Sequence, residues 1–435
     1  MNRFINRNIV YNGALFLKGE WIYPHLASLH QSQWEINSEL QEQRLALLCS
    51  AARKNSEYYR RILPEKVTLD SLSSLPFLEK KELRDNCAGL RAVCSKFDRL
   101  KTTGGSTGAP VTVYKNSQAM GEELAATWRG YQWAGVNIGD RQGRFWGVPA
   151  SRKDLRRAQL TDLICNRFRI SAFSRTDNEW HKAYVALCKF CPDYFYGYTS
   201  MLKEFADYSK SFKNRIKPKA VITTSEVLTE PDKNFISEVF SCRVFNEYGC
   251  GEVGTIAHEC EHGRLHINAE NLIIEVVDET GQLVPAEVAG ELVVTDLSNT
   301  AMPLIRYRLA DWGVLANELC PCGRTLPVLE YIYGRAYDSL VNTVGRKFHG
   351  EFFLYIIEDA KKQGMHVDGV QFEQGRSGEL TIRIVANEDD FSNLKPFIHQ
   401  RIQKHFDSQV VIHFENVEKI MREASGKLRV VKREV

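Results

Sequence analysis

Residues 102–115 read TTGGSTGAPVTVYK, and the prediction of the fold begins with them. The first nine are glycine, alanine, proline, serine or threonine, so their burial would add little to a hydrophobic core. Glycine permits positive φ angles and a close backbone approach to a ligand, and exposed amides and hydroxyls suit a phosphate. A flexible surface loop is the alternative interpretation. The alternating VTVYK predicts a short strand, and residues 117–136 predict a helix that ends near Gly135.

The alternation of strand, loop and helix continues to about residue 245, which predicts an α/β fold with a largely parallel sheet. The stretch SELQEQRLALLCSAARKNSEYYRRIL is typical of a helical segment, whereas residues 264–297 alternate as antiparallel or barrel-like strands do. The predicted domains are a large N-terminal domain (1–333, with helical 1–100, α/β 101–263 and strand-rich 264–333) and a small α+β C-terminal domain (334–435).

Composition excludes several classes of protein. The 435 residues carry a net charge of +3 without a long run of lysine or arginine, which does not indicate a nucleic-acid-binding protein. No apolar stretch is long enough for a signal peptide or a membrane span, and the eleven scattered cysteines do not resemble a secreted disulfide framework. We therefore expect a cytoplasmic protein with mostly reduced thiols, either a monomer or a homodimer.

Four further motifs follow the glycine-rich loop, which is not a Walker A motif because STG is followed by AP. NEYGCGE (246–252) comes after a predicted strand and ends in Glu252, a carboxylate that could hold a metal ion. IRYRLAD (305–311), GRAYD (334–338) and ASGKLR (424–429) complete the set. In parallel α/β sheets, ligands bind beyond the carboxyl ends of the strands, where TTSE and NEYGCGE fall.

These motifs, in this order, resemble those of the adenylate-forming superfamily of acyl-CoA synthetases, luciferases and peptide-synthetase adenylation domains. The sequence is most similar to the branch of phenylacetate–CoA ligases and the capsular-polysaccharide ligases named CapK, which LPFLEKKELRDN and CPCGRTLP also fit. The resemblance implies a large adenylation domain with a small mobile C-terminal domain. It also implies an AMP-forming ligase that uses ATP and Mg²⁺ to activate a carboxylic acid and then transfers the acyl group to coenzyme A. The alternatives are transfer to an amine, transfer of AMP to an acceptor, and a catalytically silent binding scaffold.

The resemblance also assigns site residues by motif. The loop that holds the ATP phosphates is matched by Thr102, Gly104, Gly105, Ser106, Thr107 and Gly108. The adenine-binding segments are matched by Ser225, Glu226, Tyr248 and Gly249, and the ribose-binding positions by Asp311 and Arg335. Glu252 matches the magnesium ligand, Asp338 the hinge of the small domain, and Lys427 the lysine of the adenylation step. The sequence departs from the family at Gly251, where a threonine or serine is usual.

The chemistry of adenylation accounts for a magnesium ligand and a lysine. A carboxylate must attack the α-phosphorus of ATP, and the two anions repel each other as they approach. Magnesium and an ammonium group neutralise this repulsion and the charge that develops on pyrophosphate. A compact, mobile ammonium suits the task, and its position on a small domain would let it leave after the first step. Taken alone, Lys427 is more often a solvated C-terminal lysine.

A cluster of cysteines and histidines indicates a metal site. HECEHGRLH (258–266) and CPCG (320–323) together offer ligands of the type that zinc prefers. Cys260, His262, Cys320 and Cys322 would form a tetrahedral set, and either His266 or His258 could take the place of His262. The resemblance implies a structural zinc ion at this position. The alternative is a turn with reduced, buried cysteines.

The substrate pocket is expected between residues 145–151, residues 194–200 and the loop near Gly249. Trp146, Tyr196 and Tyr198 could line an aromatic pocket, although aromatic residues at this spacing are as often part of the core. The basic stretch SRKDLRRAQ (151–159) is a candidate for holding an anionic substrate or a coenzyme A phosphate, or else a solvated helix face. The identity of the acid does not follow from these residues.

Overall fold

The structure is a computed structural model of the full chain. It describes residues 6–35, 38–102, 111–147, 152–171, 177–212, 216–335, 340–345, 347–348, 353, 356–357, 359–361, 363–375, 378–421 and 429–433. The chain divides into two compact units. The first contains residues 1–309 and 313–331, and the second contains residues 310–312 and 332–435.

The first described element is a π-helical turn, Asn6–Tyr11. The α-helices follow along the chain and occur in both units. The helices are α1 (Asn12–Lys18), α2 (Tyr23–Ser32), α3 (Ser38–Asn55), α4 (Glu57–Ile62), α5 (Leu69–Leu72), α6 (Lys80–Asp85), α7 (Cys87–Leu90), α8 (Ser117–Trp133), α9 (Arg152–Ile164), α10 (Asp177–Phe190), α11 (Thr199–Ser209), α12 (Glu230–Phe240) and α13 (Glu388–His405). Residues 353, 356–357 and 359–361 are also helical.

The strands of the described residues form one large sheet and three smaller ones. They are β1 (Arg99–Thr102), β2 (Thr112–Lys115), β3 (Gln142–Trp146), β4 (Arg167–Ser171), β5 (Tyr194–Tyr198), β6 (Ala220–Thr224), β7 (Arg243–Cys250), β8 (Gly254–Glu259), β9 (Leu265–Ile267), β10 (Leu272–Val277), β11 (Gly290–Asp296), β12 (Tyr307–Leu315), β13 (Val328–Arg335), β14 (Leu340–Val341), β15 (Lys347–Phe348), β16 (Gly369–Gln374), β17 (Leu380–Val385), β18 (Ile412–Asn416) and β19 (Val431–Arg433).

The large sheet has eleven strands in the order β10-β11-β12-β13-β9-β8-β7-β6-β5-β3-β4. Strands β3 to β7 pair in parallel, as the repeated strand–helix pattern predicts. At β7 the direction of pairing changes, because β8 follows after a short reversal and pairs with β7 antiparallel. The strands of the strand-rich segment therefore belong to the same hydrogen-bonded sheet as the parallel strands.

Both faces of the parallel strands are covered by helices, which is why the central strands β5 and β6 are buried along their whole length. One core contains Tyr194, Tyr196 and Phe245 together with residues of α8 and the first helices, and the other contains Phe195, Phe205 and Val244. Helix α8 lies close to β8: a Cβ built on Gly130 would come within 2.1 Å of the His258 ring, so only glycine fits there.

The second unit has its own sheet and its own core. Strands β18, β17, β16 and β19 are adjacent in that order, with β16 and β17 antiparallel and the two outer pairings parallel. Phe372 of β16 and Ile382 of β17 pack with Leu394 and Ile398 of α13. Asn387 caps α13 by accepting a hydrogen bond from the amide of Asp390, and three acidic residues in the first turn favour the same start.

The predicted α/β class with a strand-rich part is confirmed, and strands β9 to β13 lie within residues 265–335. The helical segment predicted at residues 38–63 consists of two helices, α3 and α4, because Ser56 has extended backbone angles and its hydroxyl accepts a hydrogen bond from the amide of Tyr59. In the described part of the chain, no helix combines the length and the apolar character needed to cross a lipid bilayer.

Candidate active site

The carboxyl ends of four parallel strands meet at one edge of the large sheet. Phe145 of β3 lies opposite Gly197 of β5, Tyr198 lies opposite Thr224 of β6, and Thr224 lies opposite Glu247 of β7. The reversal of the chain after β7 also lies at this edge. A ligand is expected beyond such an edge, where loops from several strands come together.

The reversal between β7 and β8 carries the residues of NEYGCGE. The register between the strands shifts at Tyr248 and Gly249, which marks a β-bulge. A Cβ built on Gly249 would come within 2.4 Å of the Gly254 carbonyl oxygen, so glycine is needed there for the two backbones to approach. Tyr248 packs with its half-buried ring against the core of the first unit.

Glu252 is a buried carboxylate held by two partners. Its Oε1 accepts a hydrogen bond from the Tyr307 hydroxyl at 3.2 Å and lies 3.4 Å from the Lys80 ammonium nitrogen. Lys80 lies in the segment LPFLEKKELRDN, one of the stretches that resemble the phenylacetate–CoA ligase branch. A single carboxylate fits Mg²⁺ where phosphate oxygens and water supply the other ligands, which is the usual arrangement at nucleotide sites.

A buried ionic network around Lys115 contacts the backbone of this reversal. The Lys115 ammonium group donates to the carbonyl of Val253 and to Glu123 Oε2 at 2.9 Å, and it lies 3.3 Å from Asp296 Oδ2. Burial lowers the pKa of Lys115, but Asp296 and Glu123 more than offset this and raise it above its ordinary value. Lys115 therefore stays charged and fixes the backbone beside Glu252.

Sequence reasoning did not identify Lys115, although a signal was present. In the alternating strand TVYK the lysine is in phase with the buried Val113, on the face where an apolar residue is expected. A lysine on the buried face of a strand requires carboxylate partners, because an isolated buried charge is very costly. The partners come from a helix and a distant strand, which the sequence does not bring together.

The end of β6 carries the two residues predicted to lie along the adenine ring. Ser225 has a φ of 68°, a left-handed conformation that is unusual for a residue with a side chain. The Glu226 carboxylate accepts a hydrogen bond of 2.8 Å from the amide of Ser200 in the first turn of α11. Strained backbone of this kind is concentrated at ligand sites.

The remaining predicted nucleotide-binding residues are only partly described. Thr102 is exposed at the end of β1, Asp311 is buried in β12, and Arg335 is the last residue of β13. Asp311 and Arg335 belong to the second unit. The other predicted phosphate-loop residues, the hinge residue and the lysine lie outside the described residues: Gly104, Gly105, Ser106, Thr107, Gly108, Asp338 and Lys427.

The three aromatic residues predicted to line the substrate pocket lie together at the sheet edge. The ring of Trp146 stacks on that of Tyr196, with centroids 5.7 Å apart, and lies 4.4 Å from the centroid of Tyr198. The Arg144 guanidinium lies over the rings of Trp146 and Tyr196, at 4.6 and 4.8 Å. Tyr196 and Tyr198 are also buried members of the two cores, so both interpretations of these residues apply.

A second cluster in the first unit brings together Cys260, His266, Cys320 and Cys322. Their ligand atoms all lie within 4.8 Å of one another. Cys260 Sγ and Cys320 Sγ are 3.7 Å apart, and Cys322 Sγ is 3.2 Å from His266 Nε2. Zinc–sulfur bonds of about 2.3 Å in a tetrahedron imply a sulfur–sulfur distance of about 3.8 Å, so the donor set fits Zn²⁺ in chemistry and spacing.

The histidine that the structure brings to this cluster is His266, one of the two alternatives left open by the sequence, and not His262. His262 is exposed and contributes its backbone amide, which donates to Cys260 Sγ at 3.3 Å. The chain turns at Gly263, so β9 returns with His266 facing the cysteines. His266 Nδ1 lies 3.1 Å from the Leu326 carbonyl oxygen, which leaves Nε2 toward Cys322. Burial lowers the pKa of His266 to about 4, so its ring is neutral at pH 7.

Two family models match this chain. Residues 100–302 match the AMP-binding enzyme family, and residues 340–434 match the CapK C-terminal domain. The chain is 26% identical to Protein CapK of Staphylococcus aureus, over 98% of this chain and 96% of that protein. It is 28% identical to the phenylacetate-coenzyme A ligase of Thermus thermophilus, over 69% of this chain and 71% of that protein.

The fold is also similar to that of a solved ligase. The 2-hydroxyisobutyryl-CoA ligase in its postadenylation state, in complex with R3-HIB-AMP, superposes with a TM-score of 0.72 at 18% sequence identity. The match covers 90% of this chain and 88% of that one. The similarity therefore extends over both units of the chain rather than over the sheet alone.

Proposed function

Because this chain belongs to the adenylate-forming ligases of the CapK and phenylacetate–CoA ligase branch, we propose that it activates a carboxylic acid as an acyl-adenylate and transfers the acyl group to coenzyme A. The observation that carries the proposal is the buried Glu252 on the β7–β8 reversal, at the carboxyl ends of the parallel strands. A carboxylate fixed there by Tyr307 and Lys80 suits a magnesium ion on the phosphates of ATP.

The proposed roles follow the motif assignments. Tyr248 and the segment at Ser225 and Glu226 bind the adenine, and Asp311 binds the ribose. Mg²⁺ would neutralise phosphate charge beside Glu252 and favour the loss of pyrophosphate. Lys115 acts indirectly, because it holds the carbonyl of Val253 next to Glu252. The Lys427 ammonium stabilises the charge that develops as the acid attacks the α-phosphorus.

ATP–pyrophosphate exchange tests the first half-reaction. Purified enzyme is assayed with a panel of aryl, aliphatic, amino and uronic acids, and exchange is expected with one class of acid. Lys427→Ala is expected to reduce the rate by about a hundredfold or more, since it removes one preorganised charge from the transition state. Lys419→Ala, which changes an exposed lysine of the same unit, is the matched control. Equal rates in the two variants would contradict the role of Lys427.

The second half-reaction distinguishes the acceptors. With the acid found above, coenzyme A is expected to accelerate AMP release and to yield an acyl thioester that mass spectrometry detects. AMP release that depends on an added amine and yields an amide would show the alternative acceptor. Retention of AMP on the product would indicate nucleotidyl transfer instead.

We also propose that Zn²⁺ occupies the cluster of Cys260, His266, Cys320 and Cys322 as a structural ion. Four protein ligands fill a tetrahedron and leave no open position for a substrate, which is typical of structural rather than catalytic zinc. The amide of His262 and the carbonyl at Leu326 provide the surrounding hydrogen bonds that orient such ligands.

A further inference from the structure

Helix α8 carries a carboxylate, Glu123, to which the motif assignments give no role. Its side chain is only 16% exposed, and two lysines bind it. The Lys101 ammonium group donates to Oε1 at 2.8 Å and to Oε2 at 2.9 Å, and the Lys115 ammonium group donates to Oε2 at 2.9 Å. One carboxylate of α8 thus joins two lysines that belong to different strands.

The two lysines border the glycine-rich loop that the motifs assign to the phosphates of ATP. Lys101 directly precedes Thr102 at the end of β1, and Lys115 is the last residue of β2. The two strands pair antiparallel, with Thr102 opposite Thr112, so they form the stem that carries the loop. Glu123 therefore fixes both strands of this stem to α8.

The same carboxyl group lies against the β7–β8 reversal. A Cβ built on Gly254 would come within 2.2 Å of Glu123 Cδ, so the carboxyl group and this backbone are in close contact. Lys115, which Glu123 holds, donates to the carbonyl of Val253, the residue that follows Glu252. The stem of the loop, helix α8 and the reversal that carries Glu252 thus meet at Glu123.

Charge holds this junction together. Burial raises the pKa of Glu123, but Lys115 and Lys101 more than offset this and lower it to about 2, so the carboxylate is ionised at pH 7. Asp296, with its Oδ2 3.3 Å from the Lys115 nitrogen, balances the second positive charge. Replacing buried ion pairs by apolar residues is often neutral for stability, so the arrangement that this network imposes is the better explanation for it.

Another buried ion pair of α8 provides a comparison. Arg129 donates to Glu270 Oε2 at 3.1 Å and to the carbonyl of Leu29, so it joins α8 to α2 and to the segment before β10. Those two segments carry none of the residues assigned to ATP or Mg²⁺. The pair formed by Glu123 differs in that each group it joins borders the candidate nucleotide site.

We propose that Glu123 is a positioning residue for ATP and Mg²⁺. It acts through Lys101 and Lys115, and it holds the stem of the loop and the backbone beside Glu252 in the arrangement that a bound nucleotide requires. The inference rests on the proposed ligase activity, but it concerns the binding of ATP and not that of the acid. Without this junction the loop and the reversal would have to be ordered when ATP binds, and this cost would weaken binding.

Glu123→Gln tests the proposal on the full-length enzyme, because it removes the charge with little change in shape. Calorimetry measures the binding of ATP with Mg²⁺ in the absence of any acid, and pyrophosphate exchange measures KM for ATP and, at saturating ATP, for the acid. We expect Kd and KM for ATP to rise about tenfold, the usual effect of losing a charged hydrogen bond, and KM for the acid to stay unchanged. A fold defect alone would lower the amount of active enzyme, and hence kcat, but neither KM.

Glu270→Gln is the matched control, because it breaks the other buried ion pair of α8, in which the glutamate is only 5% exposed. It should destabilise the protein by as much as Glu123→Gln or more, as thermal unfolding measures, and leave Kd for ATP unchanged.

Lys101 separates positioning from direct contact with the phosphates. Lys101→Met should raise Kd for ATP, and in combination with Glu123→Gln it should add little, because both changes break the same pair. Lys101→Arg should retain most of the affinity, since an arginine also binds both oxygens of a carboxylate. An additive loss in the double variant would show that Lys101 contacts ATP by itself, which would overturn the proposal. Because its side chain is 24% exposed, the Lys101 variants also provide the test if Glu123→Gln does not fold.

The outcomes separate this inference from the proposed activity. Unchanged affinity for ATP in Glu123→Gln, or an equal loss in Glu270→Gln, would overturn the positioning role, while exchange by the wild type still demonstrates adenylation. ATP binding that depends on Glu123, without exchange for any acid, would support the positioning role and contradict the ligase. A wild-type protein that does not bind ATP would contradict both.

Discussion

Glu247 and Glu252 both lie near the β7–β8 reversal, yet their surroundings give the two carboxylates different chemistry. Glu252 has a lysine at 3.4 Å and a tyrosine hydroxyl, whereas Glu247 is surrounded by hydroxyls and aromatic rings and has no ion-pair partner in the described part of the chain. Sequence motifs identified Glu252 because the family pattern ends on it. They could not single out Glu247, because its burial depends on side chains from α8, β3, β5 and β8 that only folding brings together.

Burial raises the pKa of Glu247 to about 7, and this shift predicts a dependence of stability on pH. Between the ordinary value of 4.5 and about 7, the folded protein binds more protons at this group than the unfolded chain does. The free energy of unfolding therefore falls as the pH rises through this window and levels off above it. Glu247→Gln lacks this loss, so relative to the wild type it should gain about 3 kcal/mol between pH 4.5 and 8. Denaturant unfolding at both pH values measures the gain, and parallel curves for the two proteins would refute it.

The geometry of the cysteine–histidine cluster predicts that zinc binding depends on His266 and not on the side chain of His262. His266→Ala should lose the zinc ion, because it removes one of four ligands, and its unfolding temperature should fall by several degrees. His262→Ala should retain the metal, because His262 contributes only its backbone amide. Zinc content per chain, measured by mass spectrometry after purification, decides the case. Zinc lost from both variants or from neither would contradict the assignment.

At the scale of elements, the hydrophobic pattern predicted strand β2 and helix α8, which both follow directly from periodicity in the sequence. The differences elsewhere have local causes. The break between α3 and α4 was missed because Ser56 acts as a cap inside a stretch with good helical periodicity. Strand β18 was not singled out from the sequence, although Ile412 and Phe414 alternate there with His413 and Glu415; in the structure it pairs in parallel with β17.

The β7–β8 reversal should not tolerate a side chain at Gly249. In Gly249→Ala the new Cβ would lie 2.4 Å from the Gly254 carbonyl oxygen, so the two strands must separate and displace Glu252. We expect a loss of about 1–3 kcal/mol of stability, the usual cost of overpacking, and a loss of nucleotide-dependent activity that exceeds it.

A helical glycine supplies the control for this substitution. Gly13→Ala changes a residue of α1 where a Cβ meets nothing within 4 Å, and it should be neutral or stabilising by up to about 1 kcal/mol. Thermal unfolding and exchange rates for both variants make the comparison. If Gly249→Ala had unchanged stability and activity, the reversal would be able to accommodate a Cβ, and the argument from the close approach of the two backbones would be contradicted.

At the scale of the whole molecule, each unit has its own hydrophobic core, and this separation predicts independent unfolding. Phe205 is fully buried in the first unit and Phe372 is fully buried in the second. Each change to alanine should cost its own unit about 3–5 kcal/mol. Calorimetry should show two transitions, of which Phe205→Ala lowers one and Phe372→Ala the other. A single transition that both variants lower equally would show that the units unfold together.

The sequence predicted the large α/β part and the small α+β part from their different textures. It could not predict that the strand-rich segment extends the parallel sheet, because strand order depends on pairings between distant segments. Nor could it choose among His258, His262 and His266, since spacing alone allows each of them near the cysteines. The chain direction after Gly263 decides that question, and it follows from the pairing of β8 with β9.

A zinc ion bound to the cysteine–histidine cluster, as proposed above, would also constrain the unfolded chain. Cys260 and Cys320 lie 60 positions apart in sequence, on either side of β9 to β12, and β9 pairs with β13 across that interval. A metal bridge between them closes a loop of this length and removes about 4 kcal/mol of chain entropy from the unfolded state. Without zinc, the first expected effect is therefore slower pairing of β9 with β13 in newly synthesised chains. Molecules that are already folded would lose activity only later.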